Sequence, residues 1–138
     1  MSASEDSYRR ICEAVWALYQ SDLLGRPLED VFPRDTHAFT RRLAELVRAH
    51  QPELDALIGE HAQGWTLERI APVERSILRV GMLELLHPDE IPGDQSIPPE
   101  AAINEAVETA KRFCGAEAPG FINGILAAVL RERDGEAQ

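Results

Sequence analysis

The sequence predicts an all-α double bundle of about six to seven helices, and three observations carry that prediction. Apolar residues recur at helical spacing through nearly every segment. No stretch alternates apolar and polar residues as a half-buried strand does. Leu, Ala, Glu and Arg dominate, while only 6% of the chain is aromatic, a balance that favours helices over strands.

The chain is organised around residues 72–86, PVERSILRVGMLELL. Val73, Ile77, Leu78, Gly81, Met82 and Leu85 share one face, and Val80, Leu83 and Leu86 add an apolar flank. A helix apolar over most of its circumference must be covered from several directions. Its polar remainder is Glu74, Arg75, Ser76, Arg79 and Glu84, with Arg75 and Arg79 four apart on a narrow face. Pro72 suits the first helical position, and His87-Pro88 ends the helix.

In chain order, residues 1–7 read as a polar, acidic tail. A first helix runs to about Asp22, with Ile11, Val15 and Leu18 inside and Cys12, Trp16 and Tyr19 beside them. Gly25-Arg26-Pro27 and Phe32-Pro33 mark a loop. Asp35-Thr36 is placed to cap a second helix over 37–50, with Phe39, Leu43, Leu46 and Val47 buried. Pro52 opens a third, carrying Leu54, Leu57 and Ile58, which Gly64 stops. A short turn over 67–70 leads into the central helix. The proline-rich HPDEIPGDQSIPP follows as a stiff connector. Pro99 starts a helix with Ala102, Ile103, Ala106, Val107, Ala110 and Phe113 facing the core, closed by Gly115 in a left-handed cap. Pro119-Gly120 introduces a last helix with Phe121, Ile122, Ile125, Leu126, Val129 and Leu130. These elements make a single domain over 1–138, with an N-terminal subdomain over about 8–64 and a C-terminal one over about 65–133.

The net charge is −10, and both halves are acidic: residues 1–66 hold 7 basic and 11 acidic side chains, residues 67–138 hold 7 and 13. Broad electrostatic attachment to nucleic acid or to an anionic membrane is therefore not expected, although a local basic patch is compatible with these numbers. Cys12 and Cys114 lie far apart and fit two buried small residues better than a disulfide. No apolar run approaches the roughly 20 residues of a membrane span, and MSASEDSYRR lacks a signal peptide's order, so a cytoplasmic location is expected. His37, His50, His61 and His87 show no metal-ligand spacing, and HExxH, GxSxG, P-loop and GxGxxG motifs are absent. Neither an enzyme nor a metal or cofactor site is expected.

The second half is more specific than a generic bundle requires. VERSILRVGMLELL, EIP, AAINEAVETAKRF and GFINGIL follow in that order, preceded by AVWALYQSD and GWTLERI. Together these motifs resemble the NusB family of bacterial transcription antitermination factors over nearly the whole chain, most strongly over residues 65–130. The resemblance implies a two-bundle, all-α fold without catalysis. It also implies binding of boxA-type RNA as a heterodimer with the small-subunit ribosomal protein NusE, within a transcription elongation complex.

Carried over residue by residue, the resemblance points first to Arg9 and Arg10, where the family has an arginine-rich N-terminus that contacts RNA. The residues alone equally fit two solvated arginines, and Glu5 and Asp6 stand just upstream. Glu74, Arg75 and Arg79 match the exposed, RNA-facing side of the family's central helix, or else a helix face with local ion pairs. Phe121 and Asn123 match FxNG at the head of the last helix, where an aromatic ring can stack on an unpaired base. Their plainer roles are core packing and an interhelical hydrogen bond. Asn104 and Glu105 are assigned to packing and caps. PGDQSIPPE is longer than the family's usual connector. The sparse basic N-terminus implies that firm RNA binding needs the NusE-type partner. The rival from another class is a protein-interaction helical module that has lost RNA recognition. A homodimer covering the RNA face is compatible with either.

Overall fold

The computed structural model describes residues 3–92 and 97–136. Among these residues it is all-helical: α1 (Ala3–Leu24), α2 (Leu28–Val31), α3 (Ala38–His61), α4 (Pro72–Leu86), α5 (Pro99–Phe113) and α6 (Ala118–Glu136). Short 3-10 turns at Leu67–Arg69 and Pro88–Glu90 flank α4. None of these helices is long and apolar enough to cross a membrane.

The central helix is α4, as its apolar circumference requires. It packs against α1, α3, α5 and α6, and every residue from Ser76 to Leu85 is buried. Pro72 sits at its start and His87 ends it, with the His87 N–H donating to the Leu83 carbonyl at 2.8 Å. Gly81 lies where α4 meets α5 and α6. A methyl group there would stand 2.9 Å from Leu126 Cδ1 and 3.5 Å from Ala106 Cβ, so this approach needs a glycine or a shifted Leu126.

Several boundaries differ from the sequence-based expectation. The polar N-terminus is helical from Ala3. The expected second and third helices are one continuous helix, α3, with Pro52 inside it. Proline in a helix interior costs about 3 kcal/mol. The helix persists because one apolar stripe runs through the proline, with Leu43 and Val47 before it and Leu54 and Ile58 after it, all fully buried. Pro52 itself faces solvent.

The α3 cap is His37, not Asp35-Thr36: its Nδ1 accepts from the Phe39 N–H at 3.0 Å, while the Thr36 hydroxyl donates to the Pro33 carbonyl at 2.6 Å. Gly64 ends α3 as expected, at φ 90°, with Gln63 also left-handed at φ 45°. Gly115 does not; α5 ends through Cys114 in an extended conformation. Phe113 is exposed rather than in the core, its ring edge-on to Trp16 at 5.1 Å. Cys12 and Cys114 are free and half-buried. Part of the connector after α4 lies outside the described residues.

Candidate nucleic-acid interface

The stretch between α3 and α4 builds one wall of a cleft. The left-handed Gln63 and Gly64 turn the chain sharply out of α3, and extended Thr66 leads into the Leu67–Arg69 turn. Ile70, only 3% exposed, anchors that turn in the core. The neighbouring Trp65 and Arg69 are thereby left outside, Trp65 with 54% of its surface exposed. The rest of the lining comes from Glu117 just before α6, half-buried Phe121 in its first turn, and Glu74 of α4. The space enclosed is about 300 Å³. It therefore offers two aromatic side chains, one guanidinium and two carboxylates. Burial pushes the Glu74 carboxyl above its ordinary value.

A second neighbourhood lies where α1 meets the last turn of α5. Tyr8, Glu108, Lys111 and Arg112 line a shallow, open depression there. Lys111 and Arg112 are exposed, Lys111 pairing with Glu108 at 3.3 Å. Arg9 follows Tyr8 and is exposed. At the end of α5 the half-buried Cys114 thiol is pushed up by burial and then by the Glu74 charge.

The seven residues singled out from the sequence are not brought to one place. Glu74 and Phe121 line the cleft. Arg75 leans back on the turn, its Nη1 donating to the Leu67 carbonyl at 3.4 Å, with its Nε buried and unpartnered among the described residues. Asn123 is exposed on α6. Arg10 lies over the Phe39 ring, 5.9 Å from its centroid, and Arg9, on α1, does not line the cleft.

Arg79 is the correction. It is not on an exposed face but 5% exposed. It grips Asp55 through Nε (2.7 Å) and Nη2 (3.0 Å), and Asp22 through Nη1 (2.9 Å). It ties α4 to α3 and α1, with only 6% of its side chain reaching the surface.

The residues that sequence reasoning missed are Trp65, Arg69, Lys111 and Arg112. Trp65 had a readable signal, a large aromatic residue straight after a helix-stopping glycine and before a one-turn helix. The other surprise is His50 and His87. With no telling spacing in the chain, they nonetheless stack ring on ring, 3.9 Å between centroids.

The protein has clear relatives. The model of the NusB family matches residues 9–131. The transcription antitermination protein NusB of Rubrobacter xylanophilus is 38% identical over 120 residues, covering 83% of this chain and 82% of that protein. The protein of the same name from Halalkalibacterium halodurans is 39% identical over 123 residues, covering 85% and 87%. Among solved structures, NusB of T. maritima superposes with a TM-score of 0.77 at 27% identity, covering 91% of each chain. A complex of the antitermination factors NusB and NusE with double-stranded RNA shares the fold, with a TM-score of 0.72 at 24% identity over 96% of this chain and 99% of that one.

Proposed function

The chain belongs to the NusB family, and on that premise we propose that it is an RNA-binding transcription antitermination factor that recognises boxA-type RNA as a heterodimer with a NusE-type ribosomal protein. The observation that carries the RNA part is the cleft between the Leu67–Arg69 turn and α6. Exposed Trp65 and half-buried Phe121 offer ring faces to an unpaired base, Arg69 offers a cation, and Glu74 offers an acceptor for a base amino group. Stacking on such a ring contributes about 1–3 kcal/mol per base.

Charge argues for the partner. Phosphate contacts supply much of RNA affinity, and this chain carries −10 overall, with its cations spread over several elements. Lys111 and Arg112, with Arg9 nearby, supply only a small basic edge. A ribosomal protein, built to lie on RNA, brings the missing positive charge. The relatives carry antitermination in their names, and a neighbour of the same fold has been solved with NusE and RNA. In this scheme the heterodimer acts within the transcription elongation complex, and the chain performs no catalysis.

Fluorescence anisotropy of a labelled boxA-type RNA, with and without the NusE-type protein and at two salt concentrations, tests this reading. Selective binding that strengthens strongly on adding the partner is expected. Trp65→Ala, at an exposed position, should weaken it by about tenfold or more while leaving thermal stability unchanged. Equal affinity for boxA-type and scrambled RNA in every mixture would instead leave a protein-interaction module without RNA recognition.

A further inference from the structure

Four side chains close a ring where α3 passes the end of α4, well away from the cleft. His50 of α3 and His87, the C-cap of α4, stack with their planes 16° apart. On one side, Glu53 Oε1 stands 2.6 Å from His87 Nε2 and 3.9 Å from His50 Nδ1. On the other, Glu90 Oε2 stands 2.8 Å from His50 Nε2 and 3.1 Å from His87 Nδ1. Local geometry sets this up. Glu53 follows His50 by one helical turn, and the 3-10 turn begun by Pro88 swings Glu90 back beneath His87, its N–H donating to the His87 carbonyl at 3.1 Å.

A proton count shows what is missing. Four ring nitrogens face carboxylate oxygens, but two neutral imidazoles carry only two N–H groups. When both N–H groups donate to Glu90, two nitrogen lone pairs and the Glu53 carboxylate converge with no hydrogen between them. Such a constellation attracts a cation, whether a proton or a metal ion. One extra proton, on His87, supplies the hydrogen of its 2.6 Å contact with Glu53 but leaves the His50 Nδ1 lone pair, 3.9 Å from the same carboxylate, without a partner. A single divalent ion satisfies all three ligands at once. We propose that His50, His87 and Glu53 bind a divalent transition-metal ion, zinc by preference, with Glu90 orienting both rings from behind.

The geometry fits. Ligand atoms of His50, Glu53 and His87 lie within 4.8 Å of one another. Two donors on a tetrahedral zinc ion, each about 2.0–2.1 Å from it, are about 3.3 Å apart. The Glu53 contacts at 2.6 and 3.9 Å bracket that value, and binding tilts the two stacked rings apart so that both lone pairs aim at one ion. Imidazole with carboxylate is a donor set that suits zinc and its neighbours. A carboxylate accepting from the far nitrogen of each ligating histidine is the usual outer support. Among the described residues, Glu53 and Glu90 form ion pairs with these two histidines and with no lysine or arginine. All four side chains are partly exposed, so an ion can enter. Once bound, it clamps α3 to the start of the connector.

Calorimetric titration of the full chain with Zn²⁺ at pH 7.5, backed by the absorption spectrum of a Co²⁺ titration, tests the site. One equivalent bound with micromolar or tighter affinity is expected, and weaker binding at acid pH, because the ligating nitrogens must lose their protons. His87→Ala and Glu53→Gln should each weaken binding at least tenfold, and Glu90→Gln by about tenfold through loss of ring orientation. His61→Ala, at the separate pair of His61 with Glu132, should leave affinity unchanged. The absence of saturable binding, or binding that survives both His87→Ala and Glu53→Gln, would overturn the proposal. Should His87→Ala fold poorly, Glu53→Gln on the half-exposed face of α3 decides alone.

Discussion

Arg79→Ala is expected to lower the stability of the protein by about 2–4 kcal/mol. Its guanidinium is held on one edge by both oxygens of Asp55 and at a third nitrogen by Asp22. Asp22 in turn accepts from Arg48 at 2.7 Å. Charges thus alternate Asp55, Arg79, Asp22, Arg48 across α3, α4 and α1, the three helices whose packing joins the first half of the chain to the centre. Taking out Arg79 strands the Asp55 carboxylate and leaves Asp22 with Arg48 alone, and a partner stranded without its ion costs more than the pair contributes net. Both aspartates keep about a quarter of their side-chain surface in water, 26% and 22%. That hydration softens the loss below the roughly 3–5 kcal/mol of a fully buried pair. Arg79→Lys should recover only part of the loss, because an ammonium cannot bridge two carboxylates with a planar fork. Urea unfolding checks this: the midpoint should fall with little change in slope. RNA affinity of the folded variant should stay near that of the parent protein, since Arg79 does not line the cleft. A wild-type midpoint would show that the network contributes nothing.

Where sequence and structure part company, the reasons are physical. Periodicity located α4, α5 and α6 because each buries a stripe whose spacing is written in the chain. Pro52 misled because a local rule, that proline opens or breaks a helix, lost to a buried stripe running from Leu43 to Ile58. Arg79 misled for a related reason. Polar residues on an apolar helix ordinarily mark its solvent side, yet α4 is covered by four helices and its arginine is met by aspartates 24 and 57 positions away. No window along the sequence contains such a pairing. The same holds for His50 and His87, which only the fold brings together. In the cleft, Glu74 and Phe121 could be read from motifs. Trp65 and Arg69 line it because the sharp turn after α3 leaves them outside, which no spacing in the chain announces.

The remaining large effect is a pH dependence built into the α4–α5 contact. Glu84 of α4 is 4% exposed. Burial first, and then the nearby Glu105 charge, pushes its carboxyl well above the ordinary range. Burial raises Glu105 from 4.5 to about 7, and its Oε2 has no hydrogen-bond partner among the described residues. A carboxyl whose folded value exceeds its unfolded one keeps its proton better in the folded state. Its stabilising contribution is therefore complete below about pH 4.5 and is lost as pH rises through about 7. Undiscounted, that interval for Glu105 corresponds to about 3 kcal/mol. Glu105 is only half-buried, so about 1–2 kcal/mol is the expected figure, and Glu84 adds to it with the same sign. Glutamine keeps the shape and removes the charge. Glu105→Gln should therefore match the parent protein at pH 5 and exceed its stability by about 1–2 kcal/mol at pH 8, and Glu84→Gln should shift in the same direction. Unfolding midpoints in urea at the two pH values measure this. His61 also carries a raised value, first from its hydrogen bond to the Leu57 carbonyl and further from Glu132, so it too withdraws stability as pH rises. The slope of the parent protein alone is thus not diagnostic, and the variant-to-parent difference is. A difference that stays constant from pH 5 to 8 would mean that both carboxylates are already ionised and hydrated in the folded protein. A difference that opens with pH would locate the cost of ionisation between α4 and α5.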